Sequence, residues 1–154
     1  MRGEAHAGLN MMLASPIVLL YPGPVHDVRL WIWLIVFIGV ATFPDIDLRL
    51  ELKHRGFTHT LIGALLAGLL GAAVYLGEPK WTVIGFAGGF TGALGHLLGD
   101  LLTHMRFAPL YPLSRREFAL GLISTRDRRA NLLIARAGAA IFTAALIIRT
   151  LPAP

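Results

Sequence analysis

The sequence predicts an all-α fold, an integral membrane bundle of five transmembrane helices, and three observations support that. Of 154 residues, 55% are hydrophobic and 15% charged, and mean hydropathy is +0.65; soluble domains carry nearer a quarter of charged residues. Apolar runs recur five times, at about 7–22, 29–44, 60–77, 81–102 and 131–150. The Lys and Arg residues gather in the connectors between those runs rather than over a soluble surface, which is a mark of membrane topology and not of nucleic-acid binding. A chain of this length reads as a single domain, 1–154. It has no cysteine, which excludes disulfides and thiolate metal sites.

Each run is near the about 17–25 residues that cross a bilayer as a helix, and lipid demands that every backbone polar group be satisfied within its own segment. Breakers punctuate the runs: "YPGP" after the first, Pro44 after the second and "GEP" after the third. The first run follows Arg2 but has no small-residue cleavage site before "YPGP", so it reads as a retained span rather than a leader. On one side of the bundle lie Arg2, Arg49, Lys53, Arg55, Arg106, Arg115, Arg116, Arg126, Arg128 and Arg129, and on the other Arg29, Lys80 and Arg149. Ten against three puts the first side, with the N-terminus, in the cytoplasm and the C-terminus outside. The expected location is the cell membrane, multi-pass.

Small residues at four-residue spacing let helices approach closely in lipid. They occur as Ala64/Gly68 and Ala67/Gly71 in the third run, and as Gly85/Gly89, Gly88/Gly92 and Gly95/Gly99 in the fourth. The third and fourth spans are therefore expected to form the close-packed centre.

Against this apolar background, "FPDIDLRLELKHRGFTHT" at 43–60 concentrates Asp, His, Arg and Lys. Topology places Asp45 and Asp47 at the cytoplasmic end of the second span, and His54 and His59 at the start of the third. His6 falls at the start of the first, and "GHLLGDLLTH" puts His96 and Asp100 one turn apart near the cytoplasmic end of the fourth. Four helix ends thus deliver His or Asp to one layer, while His26 alone of the six histidines falls on the other side. Ionisable groups inside an apolar helix are expensive and face the bundle interior with a partner. A His and a carboxylate at i, i+4 can hold one metal without distorting the helix. His59 would complete three protein ligands and leave a position for water, whose pKa the metal lowers. His6, Asp45 and Asp47 are further candidate ligands.

Simpler readings compete. His96 and Asp100 could form a hydrogen bond that only locks helices. Asp45 and Asp47 could cap a helix end, Arg55 could anchor the interface, and Thr58 could be an N-cap.

The elements "PDID", "HRGFTHT" and "HLLGDLLT" resemble the YdjM-like family of membrane-bound, metal-dependent hydrolases, which carry an N-terminal His, PDIDH, HRGxTHS and HxxxD followed by Thr. The matching positions are His6, then Pro44-Asp45-Ile46-Asp47, His54 to Thr60, and His96, Asp100 and Thr103, with "PLYPL" at 109–113 similar to a further family segment. Leu48 stands where the family has the His of PDIDH, and Thr60 where it has Ser. A more distant likeness is to zinc-dependent phospholipases C, which use an Asp, a His fourteen residues later and a helical HxxxD. Asp45, His59 and His96/Asp100 keep that order and first spacing. This likeness implies Asp45 as base or second-metal ligand, with His59, His96 and Asp100 on the first metal.

The leading expectation is a membrane-embedded hydrolase acting on a lipid or other amphiphile at the cytoplasmic face through a metal-bound water. The metal is expected to be zinc, one or two ions, because His ligands favour it over magnesium or calcium. Asp45, Arg55 and His54 are the candidate catalytic residues. Arg55, Arg106, Arg115 and Arg116 would attract a phosphate, and "RFAPLYPLSRREFALGLI" mixes aromatic, apolar and basic residues suited to a membrane surface. The expected partners are membrane lipids, with no direct nucleic-acid binding. The alternative is a metal-stabilised scaffold that docks a cytoplasmic partner, as the association of some family members with a DNA-damage repressor implies. Ion transport fits less well, because no ionisable residue continues the polar layer into the outer half.

Overall fold

A computed structural model describes residues 1–51 and 54–151; Lys53, counted above on the basic side, lies outside the described residues. The chain runs α1 (Gly3–Leu20), α2 (Val28–Gly39), α3 (Ile46–Arg49), α4 (Leu61–Ala73), α5 (Pro79–Leu101) and α6 (Arg128–Thr150). Among the described residues there is no strand, only isolated bridges pairing Thr103 with Ile123 and Phe107 with Phe118. Three helical segments, Val28–Leu48, Pro79–Leu101 and Arg128–Thr150, are long and apolar enough to cross a membrane. The five long helices fall at the five apolar runs, but α4 has only 13 residues, about 20 Å at 1.5 Å per residue.

Pro44 does not end the second run. It lies inside a 3-10 segment, Val40–Asp45, that continues α2 into α3. Proline breaks an α-helix by removing the i to i−4 bond; here the tighter i to i+3 winding carries the chain past it, and the Ile46 amide bonds the Phe43 carbonyl. Asp45 and Asp47 therefore sit on the last turns of this span and not in a free loop. Thr60, rather than Thr58, is the N-cap of α4: its hydroxyl accepts from the Gly63 amide at 3.1 Å. Pro79 occupies the first turn of α5, where its missing N–H costs nothing.

Helix α5 packs against α4, α2 and α1, and each of its glycine pairs serves a different neighbour. A Cβ on Gly85 or Gly89 would strike the α4 backbone at Gly71 or Ala67. On Gly88 or Gly92 it would strike α2 at Trp33, Val36 or Phe37, and on Gly95 or Gly99 it would meet Asn10, or Met1 and His6. The expected α4–α5 centre holds, but α5 is the axis for three contacts. A second close seam joins α1 to α6, where a Cβ on Gly138 would meet the Gly8 backbone. Asn10 fastens α1 to both other helices, donating to the carbonyls of Phe37 (2.9 Å) and Gly92 (3.0 Å).

The helices alternate in direction. The start of α1, the end of the α2–α3 segment, the start of α4 and the end of α5 meet at one end, where the Arg2 amide also bonds Asn131 near the start of α6 at 2.9 Å. At the other end Arg149 of α6 donates to the carbonyls of Tyr21 (2.9 Å) and Gly23 (2.5 Å). Asp27 caps α2 there, and its hydrogen bonds from Arg29 hold its carboxyl well below the usual carboxylate range.

Candidate metal centre

At the first of these ends the motif residues converge in a buried polar layer. His6, His59 and His96 are 0% exposed, and Asp47 and Asp100 are 1% exposed. His6 projects from the first turns of α1, and its ring stacks on His96 with centroids 3.8 Å apart. His96 and Asp100 come from the last turns of α5, on the side where Gly95 and Gly99 let α1 approach. Asp45 and Asp47 descend from the α2–α3 segment, and the turn Phe57–His59 delivers His59.

The acceptor atoms face one another. His59 Nε2 lies 3.2 Å from His96 Nε2, 3.3 Å from Asp100 Oδ2 and 3.4 Å from Asp45 Oδ1. His96 Nε2 lies 3.6 Å from Asp45 Oδ1 and 3.7 Å from Asp100 Oδ2, and His6 Nε2 is 3.4 Å from Asp100 Oδ1. What lies behind each ring fixes its tautomer. His96 Nδ1 is 2.8 Å from the Ala41 carbonyl, which can only accept, so Nδ1 carries the hydrogen. His59 Nδ1 is 3.2 Å from Asp47 Oδ2 and 3.0 Å from Thr58 Oγ1, whose hydroxyl donates to the same carboxylate at 3.0 Å. With those hydrogens behind them, both Nε2 atoms face inward, towards each other and two carboxylates, and offer lone pairs there when the rings are neutral.

Such a set is unstable without a positive charge in its midst. Asp100 Oδ2 and both His6 ring nitrogens are buried without a hydrogen-bond partner. Burial alone would lower the pKa of His59, but the Asp100 and Asp45 carboxylates outweigh it and raise His59 above the ordinary imidazole range. The donor set suits a divalent metal: imidazole nitrogens with carboxylates are the ligands zinc takes, and a ligating His whose other nitrogen donates to a carboxylate or carbonyl is the usual supporting arrangement. Two groups, His6/His96/Asp100 and Asp45/His54/His59, have donor atoms within 4.8 Å of one another and could hold a metal ion.

A residue-number pattern does not show how these residues divide their tasks. Asp47 faces away from the inward lone pairs: Oδ2 receives His59 Nδ1, Thr58 and the Arg55 amide (3.1 Å), and Oδ1 lies 3.1 Å from His54 Nδ1. Arg55, at φ 59, holds left-handed backbone that non-glycine residues rarely adopt. Its guanidinium lies 2.7 Å from Asp100 Oδ1 and 3.0 Å from Thr103 Oγ1, and it also donates to the Met105 carbonyl. The N-terminal ammonium reaches the same Asp100 oxygen at 2.7 Å. Oδ1 is thus taken up, and Oδ2 remains directed inward. His26 and His104 are exposed and take no part in the layer; the sequence itself places His26 on the other side.

The sequence pattern did not single out Phe107 or the carbonyl of Ala41. Phe107 is 3% exposed and closes the layer, its ring centroid 6.4 Å from that of His59 and 5.8 Å from the Arg55 guanidinium. Asp45 is the outlet: its side chain is 21% exposed and borders a cleft of about 460 Å³ lined by Gly39, Val40, Phe43, Ile46 and Leu48. Leu48, where the resemblance has His, is exposed and forms part of this apolar wall.

A family model described as YdjM inner membrane protein matches residues 1–151. The chain belongs to the YdjM inner membrane protein family. No curated protein and no solved structure matches it. Membership in the YdjM family and the three spanning-length helices make this a membrane protein, with its buried His/Asp groups at one end of the bundle.

Proposed function

We propose that this YdjM-family protein is a metal-dependent hydrolase acting on an amphiphile at the cytoplasmic face of the membrane. The observation that carries the proposal is the inward-facing set of Nε2 atoms and carboxylate oxygens, beside which Asp45 borders an apolar cleft. All five long helices span in this reading, α4 and α1 with help from locally thinner bilayer or flanking residues. The ten-to-three excess of Lys and Arg supports an inner-side position for the centre.

His59, His96 and Asp100 would hold the ion, with His6 closing the layer behind them. Imidazole donors favour zinc over magnesium or calcium. When bound, such an ion supplies Lewis acidity and a water of lowered pKa. The chain supplies the rest. Asp47 and the Ala41 carbonyl lock the two imidazole tautomers, and Arg55 fixes the rotamer of Asp100. Asp45, half in the cleft, accepts a proton from the attacking water. The apolar lining from Gly39 to Leu48 receives the tails of a substrate whose head reaches Asp45.

Asp45→Asn separates the roles. It is expected to lower hydrolysis of short-chain ester and phosphoester amphiphiles by about 10²–10⁴-fold, the worth of a positioned general base, with zinc content retained on His59, His96 and Asp100. Turnover by the zinc-loaded variant equal to that of the wild type would overturn the role of Asp45. Absence of turnover in the zinc-loaded wild type would favour the metal-stabilised scaffold.

A further inference from the structure

A second and larger cleft, about 810 Å³, lies behind the metal centre, on the far side of Asp47, Thr58 and Arg55. None of the inward donor residues His6, His59, His96 and Asp100 lines it, although His54 of the second group of possible ligands does. Most of its floor is engaged: the Asp47 carboxylate is taken up by His59, Thr58, His54 and the Arg55 amide, and the Arg55 guanidinium by Asp100, Thr103 and Met105, with its Nε left without a hydrogen-bond partner. Its rim is different. Arg106 and Arg115 line the cleft and are exposed, and among the described residues neither forms an ion pair. One exposed carboxylate, Glu117, shares the rim.

The segment that carries these arginines is held by its backbone. Phe107 and Phe118 exchange amide–carbonyl bonds of 3.2 and 2.9 Å, and the Leu61 amide at the start of α4 bonds the Pro109 carbonyl at 2.8 Å. Exposed Phe57, Met105 and Tyr111 line the same cleft. Two unpartnered guanidinium groups over a concave, partly apolar surface match one ligand chemistry, a phosphate ester. A planar fork binds phosphate oxygens bidentately, and a low-dielectric cleft focuses the positive field.

We propose that this cleft is a phosphate-binding site, separate from the metal centre, in which Arg106 and Arg115 clamp the phosphate of an anionic amphiphile beside Phe57, Met105 and Tyr111. A lipid headgroup and a soluble phosphoester share that chemistry. The site stands whether or not the metal centre is catalytic. It also has a physical link to it, because Asp47 and Arg55 form its floor and at the same time orient His59 and Asp100.

The test is calorimetric binding of dihexanoyl phosphatidic acid and, separately, inorganic phosphate to protein in non-ionic detergent, for the wild type and for R106A/R115A. The short-chain lipid should bind the wild type, and the double variant should lose at least about tenfold in affinity, as the removal of charge-assisted bonds requires. Zinc content and thermal unfolding should not change. Weaker binding of inorganic phosphate would assign the ligand to lipid; equally tight binding, lost in the same variant, would assign it to a soluble phosphoester and leave the site in place. Equal affinity in the wild type and the variant, or no binding of either probe, would overturn the proposal. Loss of zinc by the variant would overturn the separateness of the two sites.

Discussion

Asp100→Asn should destabilise the protein by about 3–5 kcal/mol even when it has been stripped of metal, the cost of leaving a buried charge without its partner. The Arg55 guanidinium is 2.7 Å from Asp100 Oδ1, both side chains are nearly inaccessible, and the N-terminal ammonium lies at the same oxygen. An amide there keeps the shape and removes the charge that both cations face. Asparagine would also present an amide where the inward set needs an anionic acceptor, so metal binding should fail as well. Chelator-treated protein in detergent, unfolded by heat or denaturant, reads the first effect apart from the second. Unfolding of stripped Asp100→Asn that coincides with stripped wild type would show that Arg55 finds compensation elsewhere.

Gly138→Leu should be the most damaging change away from the polar layer. A Cβ at this position meets the carbonyl oxygen, carbonyl carbon and Cα of Gly8. No rotamer relieves a clash between a side chain's first atom and backbone, so α1 and α6 must separate. Overpacking of a well-fitted interior costs about 1–3 kcal/mol and occasionally more, and here His6 moves with α1. Lower thermal stability together with weaker metal retention is the expected outcome. Gly39→Leu is the control, since a Cβ at Gly39 meets nothing within 4 Å. Equal stability of the two variants would remove the α1–α6 seam from the account.

Much of the site was legible because helical geometry is local. His96 and Asp100 share a face by their spacing, and alternating helix direction brings His6, Asp45 and His59 to the same end once the runs are recognised. The Gly85/Gly89, Gly88/Gly92 and Gly95/Gly99 pairs announced close approach, but not that each faces a different helix; spacing gives a face and not its neighbour. Gly8 and Gly138 were not legible, because lone small residues 130 positions apart leave no periodic trace. Neither was the 3-10 passage through Pro44, which depends on α5 packing beside it. The opposite orientations of Asp45 and Asp47 also escaped the sequence. Two residues apart on a tightly wound segment, one carboxylate points to the inward lone pairs and the other to the far nitrogen of His59. Phe107 became visible only when the connector folded back over Arg55.

The proposed metal chemistry rests on the inward lone pairs of His59 and His96. Elemental analysis of detergent-purified protein, wild type beside His96→Ala, tests them most directly. The account predicts zinc or a similar divalent metal bound stoichiometrically in the wild type and lost in His96→Ala. Well-folded wild type that holds no metal, even after incubation with zinc, would contradict it and leave a buried His–Asp cluster that only joins helices.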